Sequence, residues 1–156
     1  MMGIDRIARG LFAVLLAVGV GVALGGGGAS AAGAEAQRVP LARQVNRGCF
    51  TGGEAGAATN GTVHIHATGS GKIVATVQLK DALPDTTYNV RLIQVPGGAD
   101  CATLDGTLIT NAQGNGNLTL QEPVLPGTTG AFVVLNAVGF TAERDYYTTV
   151  NVGLAP

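Results

Sequence analysis

The sequence predicts an all-β fold, namely an antiparallel, immunoglobulin-like β-sandwich of about seven strands preceded by the helix of a signal peptide. Three observations support this prediction. After Asn60, apolar and polar residues alternate with a period of two, which is typical of strands with one buried face. Clusters of Gly, Pro and Asn separate these segments, and no useful helical period follows the leader. The 156 residues, 46% of them apolar, suit a single domain.

The start of the chain has the layout of a secretory signal peptide, so we expect a secreted, extracellular protein. Arg6 and Arg9 precede fourteen uncharged residues, Leu11 to Leu24, and small residues follow them. Sites of the A-x-A type place the cleavage near Ala34. If it were retained, the uncharged segment could anchor the chain in a membrane, but its glycines dilute the hydrophobicity. We therefore expect no membrane span after cleavage.

Three regions follow from this division. Residues 1–34 are the signal peptide, residues 35–60 form a flexible N-terminal tail and loop, and residues 61–156 form the sandwich. The first part of the tail is polar and basic and contains Pro40, which is typical of a tail or a short leading strand.

Seven segments carry the strand pattern. Val63, Ile65 and Ala67 alternate with polar residues, and a Gly-Ser-Gly turn leads to a second alternating segment, which predicts a hairpin. Asn and Gly in residues 111–116 suit a tight loop, which predicts a second hairpin around it. In the last segment the alternation places Tyr146 inside. The expected strands cover residues 62–68, 72–80, 88–95, 104–110, 117–121, 131–137 and 146–154.

The chain contains two cysteines, Cys49 and Cys101, and both follow the leader. An even number of cysteines in an exported protein predicts an intramolecular disulfide. Such a bond would close a loop of 52 residues and, in the chain-entropy model, destabilise the unfolded state by about 4 kcal/mol. A redox pair or a thiolate metal site is disfavoured because the cysteines lie far apart and outside a C-x-x-C motif.

Two stretches resemble known sandwich families. The string LPDTTYNV, Leu83 to Val90, resembles a strand entrance of fibronectin type III domains, although Leu83 lies one residue closer to the tyrosine than in that pattern. The resemblance implies a structural corner in which the Tyr88 hydroxyl hydrogen-bonds back across the turn. The same string, with the later TNAQG at residues 110–114, also resembles the neocarzinostatin family of small exported actinobacterial sandwiches. That resemblance implies a cleft for a small apolar ligand.

The charge balance disfavours a nucleic-acid partner. Nine basic and ten acidic residues give a net charge of −1, and removal of the leader leaves −2. No cationic excess remains to neutralise a phosphate backbone. The leader, the Ala/Gly bias and the scarcity of Lys resemble small exported proteins of actinobacteria.

His64 and His66 are the only histidines, and their i, i+2 spacing places both on one side of a strand. Two imidazoles can bind Zn²⁺ or Cu²⁺, but a closed site needs further ligands, which carboxylates such as Asp81 would have to supply. The alternative is two polar residues on a wet strand face, and this alternative is favoured.

No catalytic residue is predicted. The expected mature chain has one serine, Ser70, which lies between two glycines in a turn and outside any G-x-S-x-G motif. Tyr147 is the one aromatic residue that the alternation turns outward, so it is expected as a surface contact residue. With no tryptophan in the chain, a stacking platform for sugars is disfavoured.

The resulting hypothesis is a secreted, non-catalytic protein without cofactors that acts by surface binding to a cell-envelope component or another protein. Two alternatives stay open. The first is a carrier of a small apolar ligand, which follows from the neocarzinostatin resemblance, and the second is a metal-binding protein that uses His64 and His66.

Overall fold

The computed structural model describes residues 35–44, 59–96, 103–139 and 146–154. These ranges contain nine strands and no helix. The expected leader, Cys49 and Cys101 lie outside the described residues, so cleavage and disulfide formation stay predictions. No described segment is a helix of the length and apolar character needed to cross a bilayer. The strands are β1 Gln37–Arg43, β2 Thr59–Ala67, β3 Lys72–Leu79, β4 Thr87–Val95, β5 Gly106–Ile109, β6 Gly116–Pro123, β7 Gly130–Ala137, β8 Tyr146–Thr148 and β9 Val152–Gly153.

All strands pair antiparallel in a single sheet with the order β5-β4-β7-β8-β1-β2-β3-β6, and β9 pairs with β7. The sheet folds over into two halves, which we call the β3 half (β1, β2, β3, β6) and the β4 half (β5, β4, β7, β8). Pairs between β1 and β8, such as Ala42 with Thr148, join the halves on one side. On the other side β5 approaches β6, and Gly106 lies against the side chains of Leu118 and Leu120. The sheet is therefore nearly closed and barrel-like.

The prediction of an all-β, antiparallel fold is confirmed, and the described residues contain nine strands where about seven were expected. The last expected strand divides into β8 and β9, and β1 is an additional strand. Residues 37–43 are thus part of the sheet and not a flexible tail. Val39 and Leu41 point into the core, at 8% and 0% exposure, and β1 pairs on both sides. The boundary expected at residue 61 is therefore too late.

The first expected hairpin is confirmed and the second is wrong. β2 and β3 pair through the turn that contains Gly71, from Gly61–Leu79 to Ala67–Ile73. The loop at residues 111–116 is tight, with Gly114 at φ +74°. However, β5 pairs with β4 and β6 pairs with β3, so this loop crosses from one half to the other.

The core lies between the two halves and consists mostly of Val, Ile and Leu, which suit a pleated, buried surface. β7 is buried along nearly its whole length, as its apolar sequence predicts. The fully buried members with the largest side chains include Tyr88, Tyr147, Leu41, Ile65, Ile73, Leu79, Leu108 and Leu135.

A second cluster, Ile93, Phe132, Val134 and Tyr146, forms apart from this core. Burial there raises the pKa of Tyr146, and the positive charge of Arg91 partly offsets the rise.

Tyr147 is not a surface contact residue, which corrects the sequence prediction. It has 0% exposure and packs edge-on against Tyr88, with ring centroids 5.8 Å apart. The cause is one extra residue between β8 and β9. Five steps along the chain separate Tyr147 from Val152, whereas four steps separate their β7 partners, Leu135 and Ala131. A one-residue excess inverts the alternation, so Tyr147 enters the main core and Tyr146 joins the second cluster.

Tyr88 forms a hydrogen bond across the corner where the chain enters β4. Its hydroxyl accepts a hydrogen bond from the backbone N–H of Leu83 at 3.2 Å. Thr110 closes the same corner from β5, because its hydroxyl donates to the Leu83 carbonyl at 2.6 Å and accepts from the Thr86 N–H at 2.9 Å. These bonds satisfy the backbone where the chain enters β4.

Candidate ligand-binding face

The outward side of the β3 half is a continuous polar surface across four strands. Alternation turns every second residue away from the core, and antiparallel register aligns these residues in rows. We call this surface the outer face. Its rows are Arg38–His64–Thr76–Thr119, Pro40–Thr62–Gln78–Asn117 and His66–Val74–Gln121, and Lys72 and Lys80 continue the outward positions at the two ends of β3.

Positive charge is concentrated on the outer face. Arg38, Lys72 and Lys80 are all exposed. Within the described ranges, no Asp or Glu occupies an outward position of these four strands. The side is therefore cationic, although the chain as a whole has a net charge of −1.

The structure brings His64 and His66 onto this same face, as their spacing predicts. Both are half-buried, and Nδ1 of His66 is buried without a hydrogen-bond partner. No group of three His, Cys, Asp or Glu residues in the described part could hold a metal ion. Asp81 contributes to no such group in the described part of the chain. It lies in the turn after β3, where its N–H donates to Asn115 Oδ1 at 3.3 Å.

Two shallow depressions lie on or beside the outer face. The larger, about 480 Å³, is lined mainly by polar residues. The smaller, about 260 Å³, lies over β1 and β2. Both are open, and their linings combine apolar surface with hydroxyl, amide and charged groups. The larger is lined by Thr76, Gln78, Leu79, Lys80, Asn111, Asn115, Gly116 and Asn117, and the smaller by Arg38, Pro40, Thr59, Gly61 and Thr62.

The side-chain amides of Asn111 and Asn115 fix the loop that forms one wall of the larger depression. Oδ1 of Asn111 accepts hydrogen bonds from the backbone N–H groups of Gln113 and Asn115, both at 3.0 Å. Asn115 in turn uses its Oδ1 for the bond from Asp81. Both asparagines are thus oriented through their oxygens, which leaves their Nδ2 groups as the donors for a ligand.

A pair of carboxyl groups lies where the two halves meet, and sequence reasoning missed it. The carboxyl group of Glu122, in β6, lies near that of Asp105, which precedes β5. Burial raises the pKa of Glu122 to about 7, the nearby Asp105 adds to the rise, and a hydrogen bond with Gln94 opposes it. Asp105 is fixed by the N–H of Leu92, at 2.7 Å. The two carboxyl groups are close in space although they lie far apart in the sequence, so local patterns do not reveal the pair.

No protein-family model, curated protein or solved structure matches this chain. The functional interpretation therefore depends on the geometry of the outer face. Sequence reasoning recognised the wet side of β2 and β3. It missed the contributions of β1 and β6, because nothing in the local pattern shows that these strands flank the hairpin.

Proposed function

We propose that this protein is a secreted, non-catalytic binding protein whose outer face attaches it to cell-envelope material. The observation that carries the proposal is the continuity of polar side chains over four paired strands. The inner sides of these strands pack in the core, so the strands that carry the ligand-contacting groups are rigid before a ligand binds. Binding therefore costs less conformational entropy.

We also propose that the sheet is an elaborated immunoglobulin-like sandwich. With β1 and β9 set aside, seven strands divide into three (β2, β3, β6) and four (β5, β4, β7, β8), and the chain crosses between the groups after β3, β5 and β6. This division supports the proposal, because immunoglobulin-like sandwiches contain two antiparallel sheets linked by such crossings. Export and a Cys49–Cys101 disulfide belong to the same proposal, and a free-thiol count on the secreted protein tests the disulfide.

Binding to envelope material tests the function. The full chain is expressed with its leader, purified from the medium and sedimented with a cell-envelope preparation from a Gram-positive bacterium. Thr119→Glu places a long, negatively charged side chain in the middle row of the outer face, on its edge strand β6, and we expect it to reduce the bound fraction about fivefold, an effect of about 1 kcal/mol. Thr107→Glu, an equally exposed threonine on β5 of the other half, is the matched control and should bind like the wild type. Equal binding by all three proteins would contradict the proposal.

A further inference from the structure

We propose that the ligand of the outer face is an acidic polysaccharide, a linear sugar polymer that carries carboxylate groups. This inference rests on the proposed function and names its ligand class. Charge, hydrogen-bonding groups and the shape of the face each support it.

The charges favour an anionic polymer over a small anion. Lys72 and Lys80 lie at opposite ends of β3, eight residues and therefore about 27 Å apart along the strand. Arg38 lies two strands away from β3, across β2. Charges spaced this widely cannot converge on one phosphate or carboxylate, but they can meet successive carboxylates of a long chain. No outward carboxylate of the described strands opposes them.

The groups between the charges suit sugar hydroxyls. Thr62, Thr76 and Thr119 offer hydroxyls, and Gln78 and Asn117 offer amides, each of which can both donate and accept. The hydroxyls of Thr76 and Thr119 already lie 3.2 Å apart in a hydrogen bond, so they form a fixed pair. The larger depression adds the oriented amides of Asn111 and Asn115 beside Lys80.

The same surface is a poor match for nucleic acid or a lipid bilayer. No Phe, Tyr or Trp occupies an outward position of the described strands of the β3 half, so bases have no stacking platform. The exposed or half-buried apolar side chains there are Val74, Pro40 and Pro123, which provide too little surface to enter a membrane. The face combines separated positive charges with hydrogen-bonding groups, which complement the carboxylates and hydroxyls of an acidic glycan.

Calorimetric titration tests the ligand class, with polygalacturonate as the acidic probe and dextran as the neutral one. A single-stranded oligonucleotide and anionic lipid vesicles are further arms. We expect binding of polygalacturonate that weakens as NaCl rises from 50 to 500 mM, because salt screens exposed charge pairs.

The triple variant Arg38→Gln/Lys72→Gln/Lys80→Gln should raise the Kd for polygalacturonate at least tenfold. Arg43→Gln, which removes one exposed charge outside the outer face, should change the Kd less than twofold, and thermal unfolding of each variant checks that it is folded.

Each other outcome has a distinct meaning. Equal binding of dextran would overturn the acidic preference but leave the proposed function intact, with a neutral ligand. Tighter binding of the oligonucleotide or the vesicles would overturn the ligand class. If polygalacturonate does not bind while envelope material still sediments with the protein, the inference fails and the proposed function stands. If neither binds, both fail.

Discussion

Glu122 shows how burial between distant parts of the chain raises the pKa of a carboxyl group, with the nearby Asp105 adding to the rise. Seventeen residues separate them, yet β6 brings Glu122 against the chain that enters β5. Gln94 completes the contact from β4, because its Nε2 donates to the Pro123 carbonyl at 2.9 Å and lies 3.4 Å from Glu122 Oε2. Its Oε1 accepts bonds from the Leu125 N–H and the Thr128 hydroxyl, both at 2.9 Å. Gln94 therefore links β4 to the end of β6.

The raised pKa of Glu122 predicts stability that falls as the pH rises. Its pKa changes from 4.5 in the unfolded chain to about 7 in the native state, so the native state holds more protons between these values. This contribution is complete below pH 4.5 and is lost as the pH rises through 7. Because the group is partly solvated, we expect a loss of about 1–2 kcal/mol, less than the full shift implies.

Urea unfolding at pH 5 and pH 8 measures this effect. Glu122→Gln should remove the decline and make the protein more stable than the wild type at pH 8. The exposed Glu35→Gln should keep the wild-type pH dependence. If the Glu122→Gln variant lost as much stability between pH 5 and pH 8 as the wild type, other titrating groups would be responsible for the decline.

At the scale of the element, the β2–β3 hairpin shows how glycine permits close strand pairing. Gly61 lies opposite Leu79 with φ +134°, a conformation that residues with a side chain rarely adopt. A Cβ there would collide with the backbone carbonyl oxygen of Gln78. Gly61 lines the smaller depression and Gln78 lines the larger one, so their close approach helps to shape the outer face.

Gly61→Ala is therefore expected to destabilise the protein strongly. The added methyl group requires the backbone of β2 or β3 to shift, at a cost of about 2–4 kcal/mol from the collision and the strained φ together. Gly71→Ala is the matched control, since Gly71 also has positive φ, +74°, but has nothing within 4 Å of the added Cβ. We expect it to cost about 1 kcal/mol. Thermal unfolding compares them, and equal melting temperatures would show that the collision is relieved without cost.

At the scale of the whole molecule, β1 joins the two halves of the sheet on one side. It pairs with β2 over residues 37–42 and with β8 at Ala42 and Arg43, with a register irregularity between Pro40 and Ala42. The guanidinium of Arg43 lies 5.7 Å from the ring centroid of Tyr147, which adds a cation–π contact across this junction. The segment expected as a tail thus connects the halves.

Leu41→Ala tests this role of β1. Leu41 is fully buried in the main core, so its truncation should cost about 2–5 kcal/mol. Arg38→Ala, three residues earlier in the same strand but exposed, should stay within about 0.5 kcal/mol of the wild type. Chemical denaturation of both variants gives the comparison. If Leu41→Ala were as mild as Arg38→Ala, β1 would not contribute to the core.

The sequence by itself determined where most strands lie and which of their faces are buried. Val63, Ile65, Tyr88 and Val90 are buried as their alternation predicts, because the period of two is a local property of each strand. The wet side that carries His64 and His66 follows from the same alternation.

Only the tertiary structure decided which strands are neighbours. It placed β6 beside β3, included β1 in the sheet and reversed the side of Tyr147, since strand pairing and a one-residue excess depend on partners far away in the chain. The outer face and the Glu122–Asp105 contact exist only after these pairings form, which is why local patterns could not reveal them.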